Sequence, residues 1–570
     1  MALGTLAAQV IPAPGAAGAP GHGAAPAARR TTATPIKHLV VIFQENVSFD
    51  HYFGTYPNAT NPPGEPAFKA KPGTPSVNGL SGALLTANPN LSNPQLLNPS
   101  QALTCDQDHG YSAEQSAFDH GLMDAFVQNT GGGLTLAQCL SSVGNTTPAT
   151  GTSPNYAVMD YFDGNTVTGL WNYAQSFAMS DNAYGTNVGP STPGALNVTS
   201  ANTYGAICGP TSAVYFPPGT TPATCPAVTA NSAAPAGAPT LSQAAGPGTT
   251  YSEADPYYDI CSYSLDHNTG AKTIQMGGPN IGDSLSSAGL AWGWFEGGFD
   301  GGYVPGHGKA PSTASTICGE SHKNVGNATV SDYIPHHDPF QNYLSTSNPN
   351  HLPPTSVAMV GHPDQANHNY DIADFWAAAA SHNMPAVSFL KAPAYQDGHA
   401  GYSDPLDEQP FLVNTINKLE KLPTWSSTAV VITYDDSDGW YDHQLGPIVR
   451  HSQTSLDSLS GAGQCGTASK AVRMANAGAP EQARCGVGPR LPFLMISPYS
   501  KTNYVDNSLV TQSSVVSFIE DNWNLVGLGG GAADTEADSL TSMLDFHGPR
   551  APKVFLNPAT GERTGRAQRG

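Results

Sequence analysis

Two pairs of oxygen-bearing side chains each follow a short, mostly apolar run of this sequence. The first pair is Glu45 and Asn46, and the second is Asp435 and Asp436. Carboxylate and amide oxygens are the ligands that hard divalent cations prefer. Acids this close together repel one another, and a bound cation would keep them ionised. A loop that solvates or caps its own side chains is the alternative, and directly after a buried run it is the weaker one for the aspartates.

Ser191 stands in a turn of sequence GPSTPG, with Gly189 and Pro190 before it and Pro193 where a helix could begin. Backbone N–H groups at a helix N-terminus cradle phosphate and stabilise the charge that develops on it. A serine alkoxide at that point would attack phosphorus. The same residues also fit an ordinary helix cap and turn, so the motif by itself leaves both interpretations open.

Three polar loops carry histidines in the company of acids. They are Asp106-Gln107-Asp108-His109, His336-His337-Asp338 and Asp397-Gly398-His399. A histidine paired with an acid can bind phosphate oxygens or act as the general acid for a leaving group. A lone loop histidine is usually structural or exposed, so these groups predict a site only if they lie together.

The elements that must position these residues are buried strands that alternate with helices. Short, mostly apolar runs predict strands at 36–43, 356–360, 386–390, 429–434 and 491–497. Helical patterns lie at 410–422 and 511–525, the second with a hydroxyl cap before its apolar stripe. This alternation predicts an α/β fold around a mainly parallel sheet. Ligands bind beyond the carboxyl ends of the strands in such sheets, where both acidic pairs stand.

The remaining segments are predicted to lie outside this core. Residues 60–105 and 205–280 are rich in small and polar residues and lack periodicity, which indicates surface insertions into a single domain over 34–550. Residues 1–33 lack a basic start and a long apolar core, so we interpret them as a disordered leader or signal-peptide remnant. Residues 551–570 are interpreted as a C-terminal tail.

Composition narrows the class of protein. The 570 residues carry a net charge of -21, which disfavours a nucleic-acid partner. No apolar run reaches the roughly 18 residues of a membrane span. The eight cysteines form no CxxC pair. Their even number predicts disulfides and a secreted or periplasmic location. Sequential pairing is the simplest arrangement, and scattered buried thiols are the alternative.

Taken in order, these motifs resemble the bacterial phosphoesterase family, which contains secreted acid phosphatases and non-zinc phospholipases C within the alkaline phosphatase-like superfamily. The matching segments are IKHLVVIFQENVSFDHYFGTYP, DQDHGY, GPSTPGAL, IPHHDPF, DGH, YDDSDGWYDH and RLPFLMISPYSKTNYVD. The resemblance implies a three-layer α/β/α sandwich with long loop insertions and one active site.

The resemblance also implies residue roles. Ser191 matches the nucleophile, and the metal ligands would be Glu45, Asn46, Asp435, Asp436 and Ser191. The pocket would be lined by the catalytic His109, His337 and His399 and by the substrate-binding His336 and Asp397. The metal is expected to be Ca²⁺, Mg²⁺ or Mn²⁺ rather than Zn²⁺, because oxygen ligands dominate the set.

Two positions depart from common family patterns. Family members often have Asn where this chain has Gly194, which puts fine phosphate contacts in question but not the nucleophile. Members closer to the phospholipases C often have Asp-Glu where this chain has Asp435-Asp436, so the sequence favours the acid phosphatase branch.

The predicted function is metal-dependent hydrolysis of phosphate esters through a phosphoserine, with His399 or His337 protonating the leaving oxygen. The substrate would be a small phosphate ester. One alternative is a phospholipase C that accepts a phospholipid headgroup and needs an apolar approach to the site. Trp292, Trp294 and Phe295 could line that approach, although such aromatics more often belong to the core. A more remote alternative is a secreted, non-catalytic surface protein whose acids hold structural calcium.

Overall fold

The computed structural model describes residues 31–142, 156–225, 242–263, 272–301, 314–466 and 482–565. Thr32–Gly570 group into one compact unit. Most of the predicted leader, residues 1–30, and the last five residues of the predicted tail lie outside the described residues. The single-domain boundaries therefore stay a prediction.

The regular elements are numbered in chain order. The strands are β1 (His38–Gln44), β2 (Leu96–Leu97), β3 (Tyr161–Phe162), β4 (Ala178–Ser180), β5 (Ala183–Tyr184), β6 (Tyr204–Cys208), β7 (Val214–Tyr215), β8 (Gly248–Thr250), β9 (Asp255–Pro256), β10 (Thr273–Met276), β11 (Trp292–Glu296), β12 (Ser321–Lys323), β13 (Thr329–Ser331), β14 (Asn369–Asp371), β15 (Val387–Lys391), β16 (Thr428–Tyr434), β17 (Phe493–Ile496), β18 (Tyr504–Asp506) and β19 (Val510–Thr511). The helices are α1 (Phe49–Phe53), α2 (Ala83–Thr86), α3 (Tyr111–Phe118), α4 (Phe126–Asn129), α5 (Leu136–Ser142), α6 (Thr168–Ala174), α7 (Ser191–Thr199), α8 (Ile281–Ser287), α9 (Ala314–Ile317), α10 (Ile372–Ala380), α11 (Pro405–Leu419) and α12 (Ser513–Trp523).

A mainly parallel sheet of eight strands organises the fold, in the order β14-β11-β15-β1-β16-β17-β4-β18. β1 lies at its centre and pairs in parallel with β15 on one side and with β16 on the other. The antiparallel strand is β17, which pairs with β16 and β4. The prediction of an α/β fold with a mainly parallel sheet is thus confirmed.

Both faces of this sheet are buried, which explains why its strands read as continuous apolar runs. Along β1, Val40 and Ile42 pack into one hydrophobic cluster. Leu39, Val41 and Phe43 pack into the other. Side chains alternate between the faces of a strand, so a run that is apolar at every position must be covered on both sides.

Four of the five predicted strands are present in this sheet, as β1, β15, β16 and β17. The fifth prediction is wrong, because Val357–Met359 form a short 3-10 helix at the surface. Val357 and Met359 are only partly buried there, and Ser356 is exposed. A run of five residues is too short for its periodicity to separate a strand from a helical turn.

Both predicted helices exist with shifted boundaries. α11 begins five residues earlier than predicted, because the Asp404 side chain caps it by accepting from the Leu406 and Asp407 N–H groups at 2.7 and 3.2 Å. α12 begins after Gln512, whose side chain makes no cap hydrogen bond, so the predicted hydroxyl cap is wrong. In the described part of the chain, no helix is both long and apolar enough to span a bilayer.

The segment 205–280 carries more regular structure than its composition indicates. A second sheet of five short strands forms there in the order β7-β8-β6-β10-β9. The Cys208–Cys225 disulfide ties this region together, as predicted. The other three disulfides, Cys105–Cys139, Cys261–Cys318 and Cys465–Cys485, confirm sequential pairing.

Candidate active site

The carboxyl ends of three neighbouring parallel strands bring charged residues to one edge of the large sheet. β1 is followed by Glu45 and Asn46, β16 is followed by Asp435, and β15 ends at Lys391. Asn46 adopts a left-handed conformation with φ of 58°, which asparagine tolerates better than most residues. This turn directs the Asn46 N–H toward Asp435, whose Oδ1 accepts it at 2.7 Å.

Ser191 lies against this edge. Its Oγ is 3.1 Å from Glu45 Oε2, 3.3 Å from Asn46 Oδ1 and 3.2 Å from Asp436 Oδ2. The side chain is buried, with 3% of the residue exposed. The structure therefore brings together the predicted nucleophile and the predicted metal ligands, which are far apart in the sequence.

Two glycines allow Ser191 to reach this position at the first residue of α7. Gly189 has φ of 122°, which a side chain would oppose. A Cβ atom at Gly194 would lie 2.2 Å from the backbone oxygen of Asp435. The departure at Gly194 noted above thus has a steric reason, because only glycine lets α7 pack this closely against the chain after β16.

The acids of this cluster destabilise one another's charged forms. Burial, followed by the charge of Asp435, raises the pKa of Glu45 well above its usual value. The same two causes raise the pKa of Asp436. Lys391 is fully buried and its Nζ contacts Glu45 Oε1, so it supplies one compensating charge. One lysine cannot balance three carboxylates, which leaves room for a further cation.

The side chain of Asn46 has two orientations that differ in what they imply for a cation. With its Oδ1 toward Ser191, the amide oxygen stands where it faces carboxylates. Rotated by 180°, the amide nitrogen would instead donate to Glu45 Oε2 at 2.9 Å and to Asp435 Oδ2 at 3.2 Å. The first orientation needs a cation among the oxygens, and the second does without one.

The two histidines beside this amide favour different orientations. His109 Nδ1 lies 2.9 Å from the carbonyl oxygen of Gln107, and His399 Nδ1 lies 2.6 Å from that of Ala400. A carbonyl only accepts, so each ring carries its proton on Nδ1 and a neutral ring presents Nε2 as an acceptor. Both Nε2 atoms face the Asn46 amide, at 3.4 Å from Nδ2 for His109 and at 3.1 Å for His399. Burial lowers the pKa of His399, and a neutral His399 requires the NH₂ group on its side and the oxygen on the carboxylate side. Although burial also lowers the pKa of His109, the charges of Asp436, Asp438 and Asp106 raise it well above its usual value, so a protonated His109 donates through Nε2 and favours the opposite orientation.

This donor set of carboxylate, amide and hydroxyl oxygens fits a hard divalent cation. Four further donors lie beside it, Asp106, His109, His399 and Asp438, with ligand atoms all within 4.8 Å of one another. Asp438 Oδ2 is buried and makes no hydrogen bond, whereas its Oδ1 lies 3.3 Å from His109 Nδ1. The edge of the sheet thus carries an oxygen-only set next to a mixed set with imidazole.

His337 and Asp397 also lie close to Glu45. His337 Nε2 is 3.4 Å from Glu45 Oε2, and its Nδ1 is 3.8 Å from Asp397 Oδ2. The Asp397 backbone oxygen accepts from the Glu45 N–H at 3.0 Å, and its Oδ1 accepts from the His399 N–H at 3.0 Å. Asp397 therefore connects the first strand end to two of the predicted histidines.

His336 lies differently from its neighbour. Its Nε2 is 3.4 Å from Glu253 Oε2 and its Nδ1 is 3.2 Å from Asp255 Oδ1. Both ring nitrogens thus face carboxylates of the 205–280 segment. Although burial lowers the pKa of His336, these two acids raise it above its usual value overall.

Sequence reasoning missed Lys391 and left Asp438 without a role. Lys391 closes a run of apolar residues, and a lysine at the end of a predicted buried strand was the signal that could have indicated it. The proposed apolar approach is wrong, because Trp292, Trp294 and Phe295 are fully buried in β11. They pack in the core beneath the sheet edge, so they line no entry path.

Comparison with known proteins adds one family assignment. The model of the family described as "Phosphoesterase family" matches residues 36–526. That range includes every residue placed in the site above.

Shorter stretches match three curated proteins. A non-hemolytic phospholipase C of Burkholderia pseudomallei is 33% identical over 144 residues, 25% of this chain and 19% of that protein. A non-hemolytic phospholipase C of Pseudomonas aeruginosa is 29% identical over 26% of this chain and 21% of that protein. A hemolytic phospholipase C of the same organism is 28% identical over 29% of this chain and 21% of that protein. The matched stretches thus span about a fifth of the length of these relatives.

Proposed function

We propose, from the premise that this chain belongs to the phosphoesterase family, that it hydrolyses phosphate esters through a phosphoserine formed on Ser191. The preferred substrate class is the phosphate monoester, as in the acid phosphatases. The observation that carries the proposal is the position of Ser191 Oγ, within 3.3 Å of Glu45, Asn46 and Asp436 oxygens. Ser437 donates to a single buried carboxylate, that of Glu114, whereas Ser191 Oγ faces two carboxylates and an amide oxygen at once.

The ligands we propose for a divalent cation are Glu45, Asn46, Asp435, Asp436 and Ser191. Such a cation supplies Lewis-acid charge that lowers the pKa of the serine hydroxyl. Ca²⁺, Mg²⁺ and Mn²⁺ suit an oxygen-only set better than Zn²⁺.

The chain's own residues account for the other parts of the reaction. The Ser191 hydroxyl has carboxylate acceptors for its proton at 3.1 and 3.2 Å. Ser191 Oγ attacks phosphorus, the bond to the leaving oxygen breaks, and His399 or His337 donates a proton to that oxygen. The same histidine then takes a proton from the water that cleaves the phosphoserine. His399 would act through Nε2, since Nδ1 is held by the Ala400 carbonyl.

The proposal is tested by the release of p-nitrophenol from p-nitrophenyl phosphate. We expect Ser191→Ala to lower kcat/KM by about 1,000-fold or more, because the covalent step is lost. Chelation should also abolish wild-type turnover, and added Ca²⁺, Mg²⁺ or Mn²⁺ should restore it. Ser381→Ala, at an exposed helix end, should behave as the wild type. Undiminished turnover by Ser191→Ala would remove Ser191 from the mechanism.

A phospholipase C activity is the second candidate, favoured by the names of the three matching relatives. Vesicles of phosphatidylcholine compared with p-nitrophenyl phosphate separate the two, since only a phospholipase C releases a phosphorylated headgroup. Headgroup release faster than monoester hydrolysis would replace the acid phosphatase assignment.

We further propose that the fold is the three-layer α/β/α sandwich of the alkaline phosphatase-like superfamily, and that the protein is exported. Burial of both faces of the large sheet supports the first proposal. The four disulfides support the second, because such bonds persist in oxidising compartments.

A further inference from the structure

The helix that begins with Ser191 is capped by a residue from a distant segment. Its N-cap is Pro190, which offers no side-chain acceptor. The first N–H groups of a helix have no partner within it. Glu253 supplies one, since its Oε1 accepts from the Thr192 N–H at 3.3 Å and its Oε2 accepts from Thr192 Oγ1 at 2.9 Å.

The contact extends beyond one side chain. The Ala254 N–H donates to Thr192 Oγ1 at 3.1 Å, so the hydroxyl is held by two consecutive residues. Thr192 itself is fully buried, whereas the Glu253 side chain remains 34% exposed. A carboxylate at a helix N-terminus is also favoured by the helix dipole, and hydrogen bonds to a charged acceptor are the stronger kind.

Glu253 belongs to the link between β8 and β9 of the small sheet. Asp255 follows as the first residue of β9, and the two acids hold His336 between them. The insertion is therefore joined to the catalytic edge at two adjacent points, the nucleophile helix and the histidine next to His337.

We propose that Glu253 is a positioning residue, which caps the nucleophile helix from the inserted sheet and so fixes Ser191 Oγ against Glu45, Asn46 and Asp436. The Thr192 N–H is engaged by this contact, so it is not the phosphate-cradling donor that the GPSTPG motif predicts. The inserted sheet thereby becomes part of the active-site scaffold. The inference rests on the proposed function only for its kinetic readout.

The experiment compares Glu253→Ala, Glu253→Gln and Asp255→Asn in the full-length, metal-loaded protein with p-nitrophenyl phosphate. Glutamine keeps an oxygen that can accept from Thr192, whereas alanine removes the cap. Asp255→Asn leaves the cap intact and alters only the contact with His336. Asp521→Asn, an exposed acid of α12, controls for the change in net charge.

We expect Glu253→Ala to lower kcat by about 10-fold or more with KM changed by less than about 2-fold, because a displaced nucleophile slows the chemical step more than binding. Glu253→Gln should recover most of the kcat, and Asp255→Asn should not reproduce the loss. A kcat for folded Glu253→Ala within about 2-fold of wild type would overturn the inference. If Glu253→Ala does not fold, the comparison uses the other two variants. An equal loss of kcat in Glu253→Gln and Asp255→Asn then overturns the inference.

Amide hydrogen exchange of peptides covering α7 tests the cap without any turnover. Exchange in the first turn should accelerate in Glu253→Ala and stay at the wild-type rate in Asp255→Asn, since only the first removes the partner of the Thr192 N–H. Unchanged exchange in Glu253→Ala contradicts the cap. An inactive wild type with accelerated exchange in the variant would contradict the proposed function alone.

Discussion

Gly194 shows how one residue controls the distance between the proposed nucleophile and the proposed metal ligands. It lies on the first turn of α7, three residues after Ser191. Its Cα packs against the backbone of Asp435, with space for hydrogen but not for a methyl group. A glycine inside a helix costs about 1 kcal/mol relative to alanine, so its presence here indicates a need for close approach.

We expect Gly194→Ala to separate α7 from the chain after β16 and to lower kcat/KM by about 100-fold, the size of effect that a displacement of about 1 Å can have. The added Cβ would lie 2.2 Å from the Asp435 oxygen, so one of the two backbones must move. Steady-state kinetics with p-nitrophenyl phosphate measure the loss, and circular dichroism checks that the variant is folded.

The matched control is Gly527→Ala, where a Cβ would meet no atom closer than 3.5 Å. That variant should retain wild-type kinetics. A fully active Gly194→Ala would mean that the close packing is incidental to catalysis.

At the scale of elements, parallel pairing decides which side chains meet. β15, β1 and β16 are neighbours and run in the same direction, so the residues that end or follow them share one edge. Lys391 and Glu45 come together for this reason although 346 residues separate them. The sheet thus creates a buried ion pair beside the proposed cation site.

Replacing Lys391 by Met should destabilise the metal-free protein by about 3–5 kcal/mol, because it leaves the buried Glu45 carboxylate without its partner. A divalent cation would compensate the same carboxylate from the other side. Urea unfolding with chelator and with Ca²⁺ or Mg²⁺ measures both effects, and we expect the cation to stabilise the variant more than it stabilises the wild type.

Lys37→Met serves as the control, because Lys37 is exposed. Its free energy of unfolding should stay within about 0.5 kcal/mol of the wild type under both conditions. If the cation stabilised the wild type and Lys391→Met equally, Lys391 and the cation would not both compensate the charge of Glu45.

At the scale of the whole molecule, the packed interior holds histidines in the neutral form. Burial lowers the pKa of His51 to about 3 and that of His368 to about 4. His51 stacks on Trp440 at 4.0 Å and His368 stacks on Trp292 at 4.4 Å. Each ring also has Nδ1 on a backbone carbonyl, of Asp160 and of Trp292 respectively.

These two depressed pKa values each contribute a loss of stability in acid. The unfolded chain takes up a proton near pH 6.5 and the folded chain does so only near the lower value. The contribution of His368 is therefore complete above pH 6.5 and is lost as the pH falls toward 4. It amounts to about 3 kcal/mol. Buried carboxyls such as Asp374, whose pKa burial raises to about 8, change stability in the opposite direction, so the effect of His368 is measured as the difference in unfolding free energy between wild type and His368→Gln in urea at intervals between pH 7 and pH 4.

His368→Gln should have a lower unfolding free energy than the wild type at pH 7 through the lost stacking on Trp292, and this difference should shrink or reverse toward pH 4, since glutamine does not titrate. His120→Gln is the control, because the His120 side chain is 58% exposed. The same slope with pH in wild type and His368→Gln would contradict the assignment.

The sequence by itself determined the local parts of this protein. Apolar runs indicated β1, β15, β16 and β17, because strands buried on both faces must be apolar at every position. The polar residues directly after two of these runs indicated the sheet edge that carries the candidate site. The family resemblance was likewise readable without coordinates, and the even number of cysteines indicated disulfides, whose pairing the structure then gave.

Only the tertiary structure decided which distant residues meet. Lys391 gained a role because β15 pairs next to β1, and Glu253 gained one because the small sheet folds against α7. Strand order and the docking of an insertion depend on contacts between segments far apart in the chain. A local sequence pattern does not identify such partners, so neither Lys391 nor Glu253 was predicted from the sequence.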